Sequence, residues 1–397
     1  MPAERRLLWI VLDSVGIGEL PDAERFGDAG AATLQHTATA VGGLDLPQLA
    51  ALGLGHIAPI DGVPAVAAPQ GAFGRAAERS VGKDTTTGHW EMAGLLAGEP
   101  FAVFPDGFPP QIVEPFCRAT GRGVLGNKAA SGTVIIEELG AEHMRSGDWI
   151  LYTSADSVFQ LAAHEEVVEL EELYAACRTA RRQLDAHRVG RVIARPFVGR
   201  PGAFERTYNR HDFSMPPDGP TVLDALLAAG VPTVGVGKIH DIFAGVGVQR
   251  SVATRGNADG LEQTRRLLTS EPRGLIFVNL VDFDMNFGHR RNPQGYADAL
   301  VQFDAALPGL RAGLRDEDLL LITADHGCDP TFTAHTDHTR EYVPLLAWSP
   351  AGRAGVDLGT RQTFADMAAT VAAHLGADWR GAGESFLDRL GLAPAAA

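Results

Sequence analysis

The sequence has little cysteine, no excess of basic residues and no long apolar run. Its three cysteines, Cys117, Cys177 and Cys328, are too few and too widely spaced for a disulfide framework or a CxxC metal clip, which favours a reducing compartment. A formal net charge of -15 excludes the basic footprint that a nucleic-acid-wrapping protein needs. No apolar stretch approaches the length of a membrane span. We therefore expect a cytoplasmic protein with no nucleic-acid or membrane partner and no evident obligate protein partner.

The first apolar run, LLWIVL (7–12), meets Asp13 and is not followed by the small residues of a signal-peptide cleavage site. It is therefore interpreted as a buried first strand. With 397 residues the chain exceeds the size of a typical single core, so two domains are expected.

Three apolar runs end in the same way. The runs at 7–12, 275–283 and 319–324 are followed by Asp13, Asp284 and Asp325. Continuous apolar runs are typical of central strands in a parallel sheet, and ligands bind at the carboxyl edge of such sheets. Any one of these aspartates is equally well explained as a helix cap or turn former. Three together, two of them followed by histidine, favour a shared site.

Helical patterns alternate with the strand patterns, which predicts an α/β fold with a mostly parallel central sheet and helices on both faces. The predicted helices are 221–230, 294–307 and 363–376, the last with a capping box formed by Thr363 and Asp366. Proline-rich stretches at 98–110 and 213–220 bracket a segment without the strand-then-Asp pattern. Residues 1–100 and 217–397 are thus expected to form the core and 101–216 a smaller inserted α/β domain. In the inserted domain the sequence predicts a helix at 165–184 and strands at 149–154 and 191–199.

Carboxylates and imidazoles cluster in three short stretches that suit divalent ions. These are DFDMNFGHR (282–290), TADHG (323–327) and AHTDHTREYVP (334–344). Oxygen and nitrogen ligands suit Mn²⁺ or Zn²⁺, and two such ions can hold the attacking and leaving oxygens of an in-line displacement. A single buried histidine is more often satisfied by a backbone carbonyl, but an Asp-His pair after a buried strand favours a metal site.

A fourth stretch, VGKDTTTGHWEMAG (81–94), has three threonines after Asp84. They are compatible with a simple helix N-cap. A hydroxyl at a helix N-terminus is also well placed to carry a phosphoryl group, because the free N–H groups there favour anions. A metal pair would supply the activation that a threonine nucleophile needs.

These stretches resemble the phosphopentomutase branch of the alkaline phosphatase superfamily. GKDTTTGHWEM is similar to the family's nucleophile motif, and NLVDFDMNFGHR, ITADHGCDPT and TDHTREYVPLL are similar to its metal motifs, in the same order. RPFVGRPGAFERTYNRHDF and VGVGKIHDIF extend the resemblance over nearly the whole chain. The resemblance implies an alkaline phosphatase-like core with an inserted cap.

The resemblance also assigns roles at the site. It implies that Thr85, in T-x-x-G-H, is the phosphorylated residue. It implies one metal held by Asp284, His289 and His338, and a second held by Asp13, Asp325 and His326. His335 competes with His338 for the last ligand position, and H-T-x-x-x-V-P (338–344) favours His338. His335 is then expected to be exposed.

The implied reaction interconverts α-D-ribose 1-phosphate and D-ribose 5-phosphate, and the 2-deoxyribose pair, through phospho-Thr85 and a bisphosphate intermediate. The implied cofactors are two Mn²⁺ ions, with Zn²⁺ as an alternative, and glucose 1,6-bisphosphate as the activator. The implied substrate-binding residues, most of them in a cap that closes as a lid, are Ser154, Asp156, Val158, Arg195, Arg210 and Lys238.

Other functions remain open at this point. The same metals and nucleophile would serve an alkaline phosphatase-like phosphomonoesterase. A phosphoglycerate mutase is a further neighbour, but its nucleophile is serine. From a different class, the metals could stabilise a sugar-phosphate binding protein, although structural sites are usually closed and place no hydroxyl beside two ions.

Overall fold

The computed structural model describes residues 5–154 and 157–395 of the chain. Their contacts divide the chain into two compact units, one formed by Met1–Glu99 with Pro217–Ala397 and the other by Pro100–Pro216. Each unit has its own sheet.

The first unit is built on an eight-stranded sheet whose order is β10-β9-β11-β1-β12-β13-β2-β14. Five strand pairs are parallel and two, β12 with β13 and β13 with β2, are antiparallel. The prediction of a mostly parallel central sheet is therefore confirmed. Its strands are β1 (Arg6–Leu12), β2 (Ala72–Ala76), β9 (Thr233–Val236), β10 (Arg250–Val252), β11 (Gly274–Leu280), β12 (Leu319–Thr323), β13 (Val343–Trp348) and β14 (Val356–Arg361).

Helices of this unit contact one another in two groups. In one group α10 packs against α1, α2 and α9, and in the other α11 packs against α3 and α7. Every residue of β1 and β11, seven in each strand, is buried, and so are all five residues of β12. This is expected for strands covered on both faces. The helices are α1 (Thr33–Val41), α2 (Pro47–Leu52), α3 (Thr85–Met92), α7 (Val222–Ala228), α8 (Ile239–Ile242), α9 (Asn257–Ser270), α10 (Pro293–Ala312) and α11 (Ala365–Leu375).

The second unit contains a six-stranded mixed sheet in which β3, β4, β5, β6 and β7 follow one another and β8 also pairs with β6. The strands are β3 (Val124–Ala129), β4 (Trp149–Thr153), β5 (Val158–His164), β6 (Arg191–Arg200), β7 (Ala203–Arg206) and β8 (His211–Ser214). The helices are α4 (Pro110–Thr120), α5 (Gly132–Ser146) and α6 (Leu170–Leu184). One apolar cluster joins α4 and α6 to the sheet through residues such as Phe116, Trp149 and Leu173. A second cluster joins α5 to the sheet through Ile135, Tyr152 and Phe197.

The capping box predicted at 363–366 is wrong. Helix α11 begins at Ala365, and the Thr363 hydroxyl donates a hydrogen bond to the Glu91 carboxylate at 2.7 Å. Asp366 pairs with Arg361 at 2.5 Å. The contact of Thr363 with Glu91 joins distant segments, so the local pattern does not record it.

Candidate active site

Three neighbouring strands bring the predicted carboxylates to one edge of the sheet. Strand β1 lies between β11 and β12, parallel to both. Asp13 follows β1 and Asp325 lies two residues beyond β12, so their side chains meet at the carboxyl edge where parallel α/β sheets place ligands. Asp284 joins them there, although its strand ends earlier than the sequence indicated.

Strand β11 ends at Leu280 and not at residue 283. The chain continues into a short π-helix, Phe283–Gly288, which contains Asp284 and ends just before His289. π-helical turns are rare and are frequent at functional sites. Here the His289 amide donates to the Asp284 carbonyl at 3.1 Å. The side chains of Asp284 and His289 lie next to each other across this wider turn.

The carboxylates and histidines form two groups of three. Asp284, His289 and His338 form one group and Asp13, Asp325 and His326 the other, with the ligand atoms of each within 4.8 Å of one another. The Nε2 atom of His326 lies 3.3 Å from Asp325 Oδ2 and 3.6 Å from Asp13 Oδ1. Asp284 Oδ1 lies 3.4 Å from His289 Nε2 and 3.5 Å from His338 Nε2. Ligand atoms about 2.1 Å from one tetrahedral ion would be roughly 3.4 Å apart, so the spacing fits a metal shell.

In Asp13 and Asp325, one carboxylate oxygen accepts a hydrogen bond and the other, which belongs to the candidate metal site, does not. Asp13 Oδ2 accepts from Asn279 Nδ2 at 2.9 Å, and Asp325 Oδ1 accepts from the Ser14 amide at 3.0 Å. The remaining oxygens, Asp13 Oδ1 and Asp325 Oδ2, are buried and have no hydrogen-bond partner among the described residues. The same is true of Asp284 Oδ1. A buried oxygen without a partner is costly, and a cation in each group would satisfy all three.

Backbone carbonyls orient two of the histidines. His289 Nδ1 donates to the Thr336 carbonyl at 2.6 Å, and His326 Nδ1 donates to the Gly327 carbonyl at 3.0 Å. In each ring Nδ1 therefore carries the proton, which leaves the Nε2 lone pair available to an ion that the group would hold. This is the usual outer-shell arrangement of a metal-binding histidine.

Burial and charge act strongly on the carboxylates. Burial raises the pKa of Asp13 well above its usual value, and the nearby charges of Asp325 and Asp284 raise it further. Burial also acts to raise the pKa of Asp284, but the adjacent His289 and His338 rings outweigh it and hold that pKa well below its usual value. Three buried carboxylates in one place repel one another, so divalent cations suit the site electrostatically.

The nucleophile candidate opens a helix beside the second group. Helix α3 begins at Thr85, and its N-cap Asp84 accepts hydrogen bonds from the Thr86 and Thr87 amides. The Thr87 hydroxyl donates to Asp84 Oδ2 at 2.6 Å, whereas the Thr85 Oγ1 atom lies 3.1 Å from His326 Nε2. Of these two hydroxyls, only that of Thr85 lies against an atom of the candidate metal ligands.

Curated relatives name the family. A phosphopentomutase of Anaeromyxobacter dehalogenans is 62% identical over 94% of this chain and 96% of its own length. A phosphopentomutase of Carboxydothermus hydrogenoformans is 58% identical over 96% of this chain and 98% of its own length. The model of the metalloenzyme superfamily matches residues 5–379. The chain belongs to the phosphopentomutase family.

A solved structure supports the fold of this family member. The PH0037 protein from Pyrococcus horikoshii superposes with a TM-score of 0.50 at 14% identity, covering 95% of this chain and 99% of that one. At this identity the likeness concerns the fold alone. Within the described residues, none of the helices is both long and apolar enough to cross a membrane.

His89 is a site residue to which sequence reasoning gave no role, although the phosphopentomutase motif T-x-x-G-H contains it. Its ring is fully buried, and Nδ1 lies 2.8 Å from the Thr85 carbonyl and 3.1 Å from Asp325 Oδ2. Gly88 allows this approach, because a Cβ at position 88 would lie 2.1 Å from the Asp325 carbonyl oxygen. The Gly-His pair thus joins the start of α3 to the Asp325 carboxylate, a candidate metal ligand.

Ser14 was also missed, although it directly follows Asp13. Its φ of 74° lies in the left-handed region, where non-glycine residues are uncommon. This conformation directs its amide to Asp325, while its carbonyl accepts from the buried Tyr296 hydroxyl at 2.9 Å. Ser14 therefore orients the carboxylate of the neighbouring strand.

The sequence predicted that His335 is exposed, but the structure places it half-buried. Its Nε2 atom lies 2.8 Å from the fully buried Asp28, which also binds Lys83 Nζ at 2.9 Å and the Arg340 amide at 2.8 Å. Asp28 thereby connects the segment before Thr85 to the segment that carries His338. Sequence distance hides this contact, because Asp28 lies about three hundred residues from His335.

The predicted substrate-binding residues belong to both units. In the first unit Lys238 follows β9, and its charge acts to lower the pKa of Asp13. In the second unit Arg195 Nε donates to Gln160 Oε1 at 3.1 Å, and Arg210 makes a two-point contact with Asp212 at 2.7 and 2.8 Å. Ser154 is half-buried after β4 and Val158 is buried at the start of β5. Asp156 lies outside the described residues.

Proposed function

We propose that this chain interconverts α-D-ribose 1-phosphate and D-ribose 5-phosphate, and the 2-deoxyribose pair, through phospho-Thr85. The observation that carries the proposal is the position of the Thr85 hydroxyl, 3.1 Å from His326 Nε2 at the start of α3. The full-length likeness to phosphopentomutases supplies the substrate class.

In this mechanism phospho-Thr85 gives its phosphoryl group to the substrate, and the 1,5-bisphosphate that forms returns the other phosphate to Thr85. The free amides at the start of α3 favour negative charge on the transferring group. The Asp13, Asp325 and His326 group and the Asp284, His289 and His338 group would each hold one divalent ion. Such ions would neutralise charge on the phosphoryl oxygens and lower the pKa of a bound hydroxyl.

The remaining assignments belong to the same proposal. The ions are Mn²⁺, with Zn²⁺ as the competing choice for these oxygen and nitrogen ligands. Glucose 1,6-bisphosphate primes Thr85, and the enzyme works in the cytoplasm. The distal phosphate accepts hydrogen bonds from the guanidinium groups of Arg195 and Arg210 and from the ammonium group of Lys238. Ser154, Asp156 and Val158 contact the sugar, and residues 101–216 serve as the lid.

The decisive experiment follows ribose 5-phosphate and free phosphate together. The Mn²⁺-loaded protein is incubated with ribose 1-phosphate, with and without glucose 1,6-bisphosphate. We expect ribose 5-phosphate to form without stoichiometric phosphate, and the rate to depend on the bisphosphate. Stoichiometric release of phosphate would instead identify a phosphomonoesterase, and binding without turnover a sugar-phosphate binding protein.

Adjacent threonines provide a matched pair of variants for the nucleophile. Thr85→Ala is expected to abolish turnover and phosphorylation of the chain while leaving metal content intact. Thr86→Ala, one residue further along the same helix, is expected to retain both. Normal mutase activity in Thr85→Ala would show that Thr85 is not the nucleophile.

A further inference from the structure

Among the described residues, the start of helix α5 in the second unit has neither a side-chain cap nor an acidic residue in its first turn. The helix runs from Gly132 to Ser146, its N-cap Ser131 makes no side-chain capping hydrogen bond, and its first turn contains no acidic residue. The first backbone N–H groups of an α-helix have no partner within the helix, and they form the positive end of its dipole. This helix start is therefore suited to an anion.

A buried phenol at the same place is a second observation that points to a ligand. Tyr152 on β4 is 1% exposed, and its hydroxyl has no hydrogen-bond partner among the described residues. A Cβ at position 132 would lie 2.6 Å from this oxygen, so the hydroxyl lies directly against the first residue of α5. Buried tyrosine hydroxyls usually have a partner, and leaving one without is costly.

An arginine completes the group. Arg206 at the end of β7 has its Nη1 atom 3.3 Å from the same position, and it forms no ion pair with a carboxylate of the described residues. Burial raises the pKa of the Tyr152 phenol, and the charges of Arg195, Arg206 and Arg210 act to lower it. The phenol thus lies in a positive field.

We propose that the α5 start at Gly132, the Tyr152 hydroxyl and the Arg206 guanidinium form an anion site in the second unit that takes a phosphate monoester. All three groups donate hydrogen bonds, and a phosphate offers several acceptor oxygens. Glycine suits position 132, because a Cβ there would lie 2.6 Å from the phenol oxygen and 3.3 Å from the guanidinium. The identity of the ligand as a phosphosugar rests on the proposed function.

Binding is tested on the Mg²⁺-loaded full-length protein by following the amide resonances of Gly132 and Thr133. The three titrants are inorganic phosphate, ribose 5-phosphate and glucose 1,6-bisphosphate. We expect a saturable shift with phosphate, and a tighter one with whichever ester occupies the site. The comparison of the two esters distinguishes substrate from activator as its source. Absence of a saturable shift with all three would overturn the proposal.

Three variants locate the effect. Arg206→Gln and Tyr152→Phe are expected to weaken phosphate binding by about tenfold and by about three- to tenfold, as for hydrogen bonds to a charged group. Arg145→Gln is the matched control, because it removes the same charge about 20 Å further along α5. Unchanged affinity in both Arg206→Gln and Tyr152→Phe would also overturn the proposal.

Tyr152→Phe keeps the ring that packs in the cluster with Ile135 and Phe197, so folding is expected to be retained. Gly132→Ala gives an independent readout, since the added methyl group blocks the site without removing a donor.

Mutase turnover is measured on the same samples. Phosphate binding at Gly132 without mutase activity would refute the proposed function and leave the anion site intact. Full mutase activity together with normal phosphate binding in all the variants would refute the anion site and leave the proposed function intact.

Discussion

At the scale of single residues, His89 connects helix α3, which begins at the proposed nucleophile, to the proposed metal ligand Asp325 through one nitrogen atom. Nδ1 must carry the proton, because its partner at 2.8 Å is the Thr85 carbonyl. The same N–H is 3.1 Å from Asp325 Oδ2, the oxygen that would face the ion, while Nε2 is buried without a partner. We therefore infer that His89 positions Asp325 and does not itself bind a metal ion.

Two substitutions of His89 separate this role from simple packing. Asparagine places an amide N–H near the position of Nδ1, whereas glutamine places it near Nε2. We expect His89→Gln to weaken metal binding by roughly tenfold or more, as outer-shell changes do, and His89→Asn to retain most of the affinity. Metal titration of the chelator-treated protein measures both. Equal losses in the two variants would contradict the assignment of Nδ1.

Gly88 is the second residue whose role is steric. A methyl group at position 88 would meet the Asp325 carbonyl oxygen at 2.1 Å, so Gly88→Ala must displace either α3 or the segment after β12. We expect a loss of about 1–3 kcal/mol in the free energy of unfolding and weaker metal binding. Gly98→Ala is the control, since nothing lies within 4 Å of its Cβ position. Urea unfolding compares the two, and similar stabilities would refute the close contact.

At the scale of elements, helix α11 is joined to strand β1 by a buried histidine. His374 Nε2 donates to the Arg6 carbonyl at 3.2 Å, and Nδ1 is buried without a partner. Burial lowers the pKa of His374 to about 4, so the folded protein keeps this ring neutral at pH values where the unfolded chain binds a proton.

The resulting dependence on pH has a definite sign. The contribution of His374 is fully present above the unfolded pKa of about 6.5 and is lost as pH falls from there towards about 4. The largest loss is about 3 kcal/mol. We expect His374→Gln, which keeps a donor near Nε2, to reduce the difference in unfolding free energy between pH 7.5 and pH 5. Urea unfolding of the metal-saturated protein at both pH values measures it, and identical differences in the two proteins would exclude His374 as the source.

The three strands that lead into the candidate site differed in how well the sequence predicted their ends. The apolar runs at β1 and β12 predicted the strands to within about one residue, because burial on both faces leaves a continuous apolar signal. The run at β11 continued into the π-helix, since Val281 and Phe283 are buried there as well. An apolar pattern alone does not distinguish the two conformations.

At the scale of the whole molecule, all six proposed metal ligands lie in the first unit. Metal binding to the folded state should stabilise that unit by about 2.7 kcal/mol when free metal is a hundred times its dissociation constant. We expect a chelator to increase amide exchange in the segments 283–289 and 325–338. Strand β5 of the second unit is the internal control, and an equal loss of protection there would contradict a site confined to the first unit.

The sequence alone determined the composition of the site. It showed which carboxylates follow buried strands, which histidines accompany them, and where a hydroxyl begins a helix. These features are local, because each depends on neighbours within a few residues along the chain. The resemblance then assigned Thr85 and the two ligand groups, and the relatives established the family.

Only the tertiary structure decided which groups meet across the sheet and across the chain. The order β11-β1-β12 brings Asp13, Asp284 and Asp325 together. Contacts between distant segments join His335 to Asp28, and place Tyr152 and Arg206 against the start of α5. No local spacing records such contacts, because they depend on strand order and on the packing of helices over the sheet.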